Sequence, residues 1–152
     1  MRVTIAAVGR DRSGAARELF DDYCKRCPWR IRLVEIAARS ALPLERRLAA
    51  EGEALSGAVP RGATLIALDE RGRVMGSRAF ATRIATWQER SGAELAFLIG
   101  GPDGLAADLI ARADLVLALG RMTWPHLLVR VLLAEQLYRA GTILAGHPFH
   151  RE

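Results

Sequence analysis

Short apolar runs and longer mixed stretches alternate along the chain. Residues 2–8, 30–37, 63–68, 94–99 and 114–119 are each six to eight residues long and rich in Val, Ile, Leu or Ala. Continuous apolar runs of that length suit strands covered on both faces. Between and after them the apolar positions recur at helical spacing. Residues 13–26 open with Ser13 as a candidate cap, and 43–55 start with Pro43 at a first-turn position. Residues 77–90 follow Gly76 and stop at Ser91-Gly92, 105–112 form a short helix, and 125–140 form a long one ending before Gly141. Strand–helix alternation of this kind predicts an α/β fold with a mostly parallel sheet. No repeat, linker or low-complexity segment interrupts it, so residues 1–152 read as one domain.

Ligands in open α/β sheets bind at the carboxyl ends of strands, which singles out three junctions. The first, Gly100-Gly101-Pro102-Asp103-Gly104, follows a strand and opens a helix, yet it is neither G-x-G-x-x-G nor a P-loop. Asp103 would sit near the helix start, where a phosphate would bind, so the loop reads either as a close-approach surface without a pyrophosphate cradle or as a tight turn with an Asp cap. The second, Leu119-Gly120-Arg121-Met122-Thr123-Trp124-Pro125-His126, places a histidine in the first turn of a helix. The helix dipole favours neutral imidazole there, whether His126 accepts a proton, holds a ligand or supports the loop by packing. The third ends at Ala67-Leu68-Asp69, before the turn-like Glu70-Arg71-Gly72. The helix over 125–140 is apolar nearly all round, broken by Arg130, Glu135, Gln136 and Arg139. Burial on more than one side in a chain this small points to a subunit interface.

Composition changes this picture little. A chain of 152 residues with 51% hydrophobic content fills one core. No N-terminal run has signal-peptide or membrane length, so a soluble, cytoplasmic protein without a membrane partner is expected. The net charge of +5 leans toward an anionic partner such as nucleic acid. Lys25 is the only lysine, however, and an arginine skew of that kind also arises from a GC-rich genome. Cys24 and Cys27 form a C-x-x-C that could be a redox pair or half a zinc site. No second cysteine pair exists and the three histidines lie far downstream, which favours two small side chains at a helix end and no metal site. The chain finishes His147-Pro148-Phe149-His150-Arg151-Glu152, residues suited to acid–base work and anion contact at a position that usually frays.

The C-terminal third carries a resemblance. Phe97-Leu98-Ile99-Gly100-Gly101-Pro102-Asp103-Gly104-Leu105 resembles the motif L-L-I-G-G-P-E/D-G-L. Met122-Thr123-Trp124-Pro125-His126 with the run Leu128 to Ala140 resembles M-T-x-P-H-x-L-V-R-V-x-L-x-E-Q-L-Y-R-A, and Gly146 to Glu152 resembles x-H-P-Y-H-R-E. Together these are similar to the RlmH family of SPOUT methyltransferases, densely over roughly residues 95–152 and more loosely before. Phe149 stands where a tyrosine is usual, Gly141 replaces a common aromatic, and Arg121 and Trp124 occupy positions where smaller or apolar residues are frequent.

The resemblance implies a SPOUT fold, a parallel sheet flanked by helices with a C-terminal trefoil knot, assembled as a homodimer. It implies S-adenosylmethionine as methyl donor, held largely by backbone groups at Leu68, Gly100 and the run Leu119, Gly120, Arg121, Met122, Thr123 and Trp124. It implies methylation of N3 of a pseudouridine in 23S ribosomal RNA of the assembled ribosome, and not of DNA. His150 is then the first candidate for general base or for holding the base edge. Arg151 and Arg139 are candidates to hold phosphate or charge on the uracil oxygens, and Glu152 with the terminal carboxylate could orient His150. Two other readings remain at this point: a non-catalytic SPOUT-type dimer that binds ribosomal RNA, and a flavodoxin-like nucleotide-binding protein.

Overall fold

Side chains alternate between the two faces of a strand. Arg2–Val8, the first strand (β1), is buried from Val3 onward on both faces, which places it inside a sheet. The structure is a computed structural model, and it describes residues 1–12, 14–90 and 93–147. The elements follow as α1 (Ala15–Arg26), β2 (Arg30–Ile36), α2 (Leu44–Ala58), β3 (Thr64–Val74), α3 (Ser77–Gln88), β4 (Glu94–Ile99), α4 (Ala107–Arg112), β5 (Leu115–Ala118) and α5 (His126–Leu144). The strands form one five-stranded sheet in the order β2-β1-β4-β3-β5, and every pairing is parallel.

The alternation divides the core in two. Val3, Ile5, Ala7, Leu95, Phe97 and Ile99 face α1, α3 and α5, in a layer that holds Phe20, Trp29, Phe80 and Trp87. Ala6, Val8, Ala67 and Leu98 face the other way, onto Leu55 of α2 and Leu105 and Leu109 beside and within α4. A three-layer α/β/α sandwich results, with α5 lying between α1 and α3. That position revises the expectation drawn from the apolar character of this helix. Val131, Leu133, Ala134, Leu137 and Ala140 are buried within the subunit itself, so the extra apolar stripe needs no second chain.

Two other expectations change. α5 does not stop at Gly141; it runs to Leu144 and closes at Gly146, whose φ of +68° suits a left-handed cap. Gly141 is there for closeness, since a Cβ on it would lie 2.5 Å from Cγ of Pro28. Glu70-Arg71-Gly72 is not a turn that ends a strand. β3 continues through it to Val74, and Leu68 and Arg73 both pair with Leu117 across a bulge. Asp69 shapes that bulge by accepting the backbone N–H of Arg71 at 2.8 Å and its guanidinium at 2.9 and 3.0 Å. The residue preceding α1 is Gly14; Ser13, the cap expected from sequence, lies outside the described residues.

Cys27 caps α1 from within the core, its N–H donating to the Tyr23 carbonyl at 3.0 Å, and Cys24 is half-buried one turn earlier. Both thiols are free. Burial, then the neighbouring Cys27 and Asp21, pushes the Cys24 thiol up to about 12. Among the described residues no helix is long and apolar enough to cross a membrane, and no group of His, Cys, Asp and Glu could hold a metal ion.

Candidate functional site

Parallel strands end on one edge of the sheet, so the loops that leave them converge there. The loops after β4 and β5 and the bulge of β3 enclose a cleft of about 530 Å³. Its floor is apolar: Leu68, Ile99, Leu117, Leu119 and Val129. Asp69, Glu70 and Asp103 bring carboxylates to it, and Arg71 is the one lining arginine or lysine among the described residues.

Each wall has a local cause. In the first, Gly101 and Gly104 pair across a tight turn, the Gly104 N–H donating to the Gly101 carbonyl at 3.0 Å. Gly100 permits that fold-back, because a Cβ on it would lie 2.3 Å from the Gly104 carbonyl oxygen. Asp103 does not cap the next helix, whose N-cap is Ala106; it pairs instead with Arg47 of α2 at 3.2 Å. The second wall, between β5 and α5, is held by side chains. Thr123 Oγ1 donates to Glu70 at 2.9 Å, bridging to the third wall, and Trp124 Nε1 donates to the Leu119 carbonyl at 3.3 Å. In the third, hydrogen bonding from Arg71, against the effect of burial, holds the Asp69 carboxyl below the usual carboxylate range. Asp69 is anionic at neutral pH.

His126, the first residue of α5, completes the wall. Burial lowers its pKa and the charge of Arg130 lowers it further, so the imidazole is neutral at pH 7. Sequence reasoning expected the neutral form from the helix dipole; burial is the leading cause.

Of the eight residues designated by resemblance, Leu68, Gly100, Leu119, Gly120, Met122, Thr123 and Trp124 line this cleft, and Arg121 does not. Arg139 lies on α5 outside the cleft wall, donating to Glu135 at 2.8 Å through Nε. His150 and Arg151 lie outside the described residues, as do Phe149 and Glu152. Ile99 lines the cleft as part of the first junction, Glu70 and Arg71 line it from a segment the sequence reads as a turn, and sequence reasoning missed Val129 and gave no role to Arg47. The signal for the Asp69-Glu70-Arg71 contribution was present as a polar triplet directly after an apolar strand.

S-adenosylmethionine carries an adenine ring, a sulfonium, and an ammonium and a carboxylate that offset each other. An apolar slot with exposed backbone suits the ring, and Glu70, which accepts from the neutral Thr123 hydroxyl, brings a negative charge that suits the sulfonium. The residues present fit that group.

The chain matches the family model described as "Predicted SPOUT methyltransferase" over residues 1–150. It is 54% identical over 151 residues to the ribosomal RNA large subunit methyltransferase H of Rhodospirillum centenum, covering 99% of both chains. It is 51% identical over 155 residues to the protein of the same name from Cereibacter sphaeroides strain KD131, again covering 99% of both. Among solved structures, a probable methylase family protein from Haemophilus influenzae superposes with a TM-score of 0.61 at 12% identity, covering 99% of this chain and 70% of that one. TrmJ from Z. mobilis ZM4 superposes with a TM-score of 0.57 at 20% identity, covering 93% of this chain and 69% of that one. At those identities the structural likeness speaks for the fold alone.

Proposed function

Because the chain belongs to the SPOUT methyltransferase family, we propose that its cleft binds S-adenosylmethionine and that it methylates N3 of a pseudouridine in 23S ribosomal RNA. It is an enzyme, a ribosomal RNA methyltransferase of the large subunit. Membership sets aside the flavodoxin-like reading, and the enzyme assignment sets aside the non-catalytic binder. The observation that carries the donor assignment is the cleft itself, where three strand-end segments place an apolar floor beside Asp69, Glu70 and Asp103.

The chain's residues then divide the work. Leu68, Gly100, Leu119, Gly120, Met122, Thr123 and Trp124 bind the donor, the glycines by admitting it close to the backbone. Arg121, outside the lining, is left to face RNA. Arg71 offsets the charge of Asp69, so Glu70, bonded to the neutral Thr123 hydroxyl, is the carboxylate that favours a cation in the cleft, and neutral His126 adds no charge that would oppose one. When bound, S-adenosylmethionine supplies an electrophilic methyl group on a sulfonium. The acceptor N3 must lose a proton and be aligned, and alignment contributes on the order of 7 kcal/mol or more to reactions of this type. A general base within hydrogen-bond reach adds ~10²–10⁴-fold. His150 takes that role or holds the base edge, Arg151 and Arg139 hold phosphate or charge on the uracil oxygens, and Glu152 with the terminal carboxylate orients His150.

The substrate in this reading is the assembled ribosome in the cytoplasm, which explains how a small chain finds one nucleotide by shape. The active form is a homodimer in which the tail of one subunit covers the cleft of the other, with the C-terminal segment threaded as a trefoil knot. Support for the dimer comes from apolar side chains left exposed near the cleft: Met122 at 73%, Trp124 at 41% and Leu128 at 42%.

The test is transfer of a labelled methyl group from S-adenosylmethionine to ribosomes lacking the modification, with the product nucleoside identified by mass spectrometry. An N3-methylated pseudouridine is expected. Binding of the donor without transfer would move the substrate elsewhere, and absence of binding would overturn the donor assignment. His150→Ala should lose turnover while keeping donor binding; unchanged turnover would remove His150 from the chemistry.

A further inference from the structure

Behind the cleft wall lies a charge that the proposed reaction does not use. Arg130 follows His126 by one helical turn and is 2% exposed. Its guanidinium donates to the carbonyls of Val8 at 2.9 Å and Gly9 at 2.6 Å, and to Glu35 Oε1 at 2.8 Å. Glu35 also accepts the backbone N–H of Asp11 at 2.9 Å and stands 4.0 Å from the Arg17 guanidinium. The ends of β1 and β2, the loop after β1, α1 and α5 therefore meet at one ion pair.

A buried guanidinium is costly unless its donors are satisfied, and Arg130 Nε has no partner. An apolar residue at 130 would suit the helix better on packing grounds alone. What the arginine contributes is orientation. A Cβ placed on Gly9, which has a φ of +90°, would lie 3.2 Å from His126 Nε2 and 3.8 Å from Arg130 Nη2. The imidazole and the guanidinium stand beside the same backbone residue, one from the cleft wall and one from behind it.

We propose that Arg130 is a positioning residue of the cleft: by gripping the Val8 and Gly9 carbonyls it fixes the backbone on which His126 rests, and so sets the wall that His126 and Val129 present to the methyl donor. The inference rests on reading the cleft as the donor site, and the hold on His126 is measurable without any donor. Arg130→Met keeps the apolar stem and removes the fork; Arg130→Lys keeps the charge and one point of donation. Phe80→Leu, on the buried face of α3 and outside the cleft, serves as a control for lost stability alone.

Two readouts are taken on the purified chain: calorimetric affinity for S-adenosylmethionine, and the NMR position signal of His126, the nuclear Overhauser contact between its imidazole ring and Gly9 Hα. Arg130→Met is expected to weaken donor binding about tenfold or more and to change the His126 signal. Arg130→Lys should recover part of both, and Phe80→Leu should leave both near wild type while lowering the melting temperature. If Arg130→Met does not fold, Arg130→Lys carries the comparison, with a smaller change in the same direction expected. Wild-type affinity together with an unchanged His126 signal in the folded variants overturns the proposal, as does an equal loss of affinity in Phe80→Leu. If the wild-type chain binds no S-adenosylmethionine, the donor assignment fails, and the His126 signal alone decides the role of Arg130.

Discussion

Gly100 and Gly101 are neighbours in the same loop, yet a methyl group added to each meets different atoms. On Gly100 it would lie 2.3 Å from the Gly104 carbonyl oxygen, 2.4 Å from the Gly104 carbonyl carbon and 2.9 Å from the Leu105 nitrogen. All three are backbone, so no side-chain rotation relieves the overlap. Relief to ordinary van der Waals contact requires the turn to move by roughly 1 Å. Forcing extra volume into packed structure costs about 1–3 kcal/mol, and at about 2–4 °C per kcal/mol for a domain near this size the melting temperature should fall by roughly 2–12 °C. Because the displaced turn is a wall of the cleft, affinity for S-adenosylmethionine should fall by about tenfold or more. On Gly101 the same methyl group meets Val8 Cγ1 at 3.2 Å and Glu51 Oε2 at 3.6 Å, both side-chain atoms. Those can yield, so Gly101→Ala should melt within about 2 °C of wild type. Thermal melts and donor titrations of the two variants, side by side, make the test. Equal behaviour, or a Gly100→Ala variant that melts and binds as wild type, would refute the contact argument.

Four other outcomes are expected. Gly141→Ala should destabilise the chain by about 1–3 kcal/mol, because the added carbon meets the Pro28 ring at 2.5 and 2.7 Å. Pro28→Ala should recover most of that loss in a double-mutant cycle, and additive losses would refute the contact. His126 has a lowered pKa in the folded chain, so the unfolded state binds more protons as pH falls below about 6.5. Stability should therefore decline from pH 7 toward pH 5, with a shallower decline in His126→Gln measured by melts across that range. Glu35 behaves oppositely in cause: burial alone would raise its pKa, but the Asp11 amide, Arg130 and Arg17 outweigh burial and lower it. The stability it contributes is present at neutral pH and is lost as pH falls below about 4.5, a loss that Glu35→Gln should blunt in acid titrations. Finally, with its thiol raised to about 12, Cys24 should react with a thiol reagent at pH 8 far more slowly in the native chain than in urea; equal rates would refute its shielding.

Much of the fold was legible because burial leaves a direct mark on residue type. Strands inside a parallel sheet need apolar side chains on both faces, and the predicted ranges 2–8 and 94–99 coincide with β1 and β4, two of the three interior strands. Edges and ends were less legible. β3 ran on to Val74 through Glu70-Arg71-Gly72, since Asp69 bonding and pairing to β5 stabilise a segment whose composition reads as a turn. Gly141 looked like a stop and sits inside α5, because its neighbour in space is Pro28 and no local pattern records that. Asp103 looked like a cap, and Arg47 of another helix takes its charge instead.

The candidate site divides in the same way. The chain itself declared the glycine loop at 100–104 and the junction at 119–126, since close approach and helix entry demand glycine and proline at set positions. Only the sheet order placed them together with Leu68: β4 and β5 both flank β3, so three loops far apart in sequence end on one edge. The buried Arg130 was visible as one charge interrupting an apolar helix, but its partners, Val8, Gly9 and Glu35, lie some hundred residues earlier. Apolar periodicity follows from each residue's own preference for water or core, and a sequence carries it outright. The partner of a charge or the neighbour of a glycine is set by where the strands pack, and only the tertiary structure decides that.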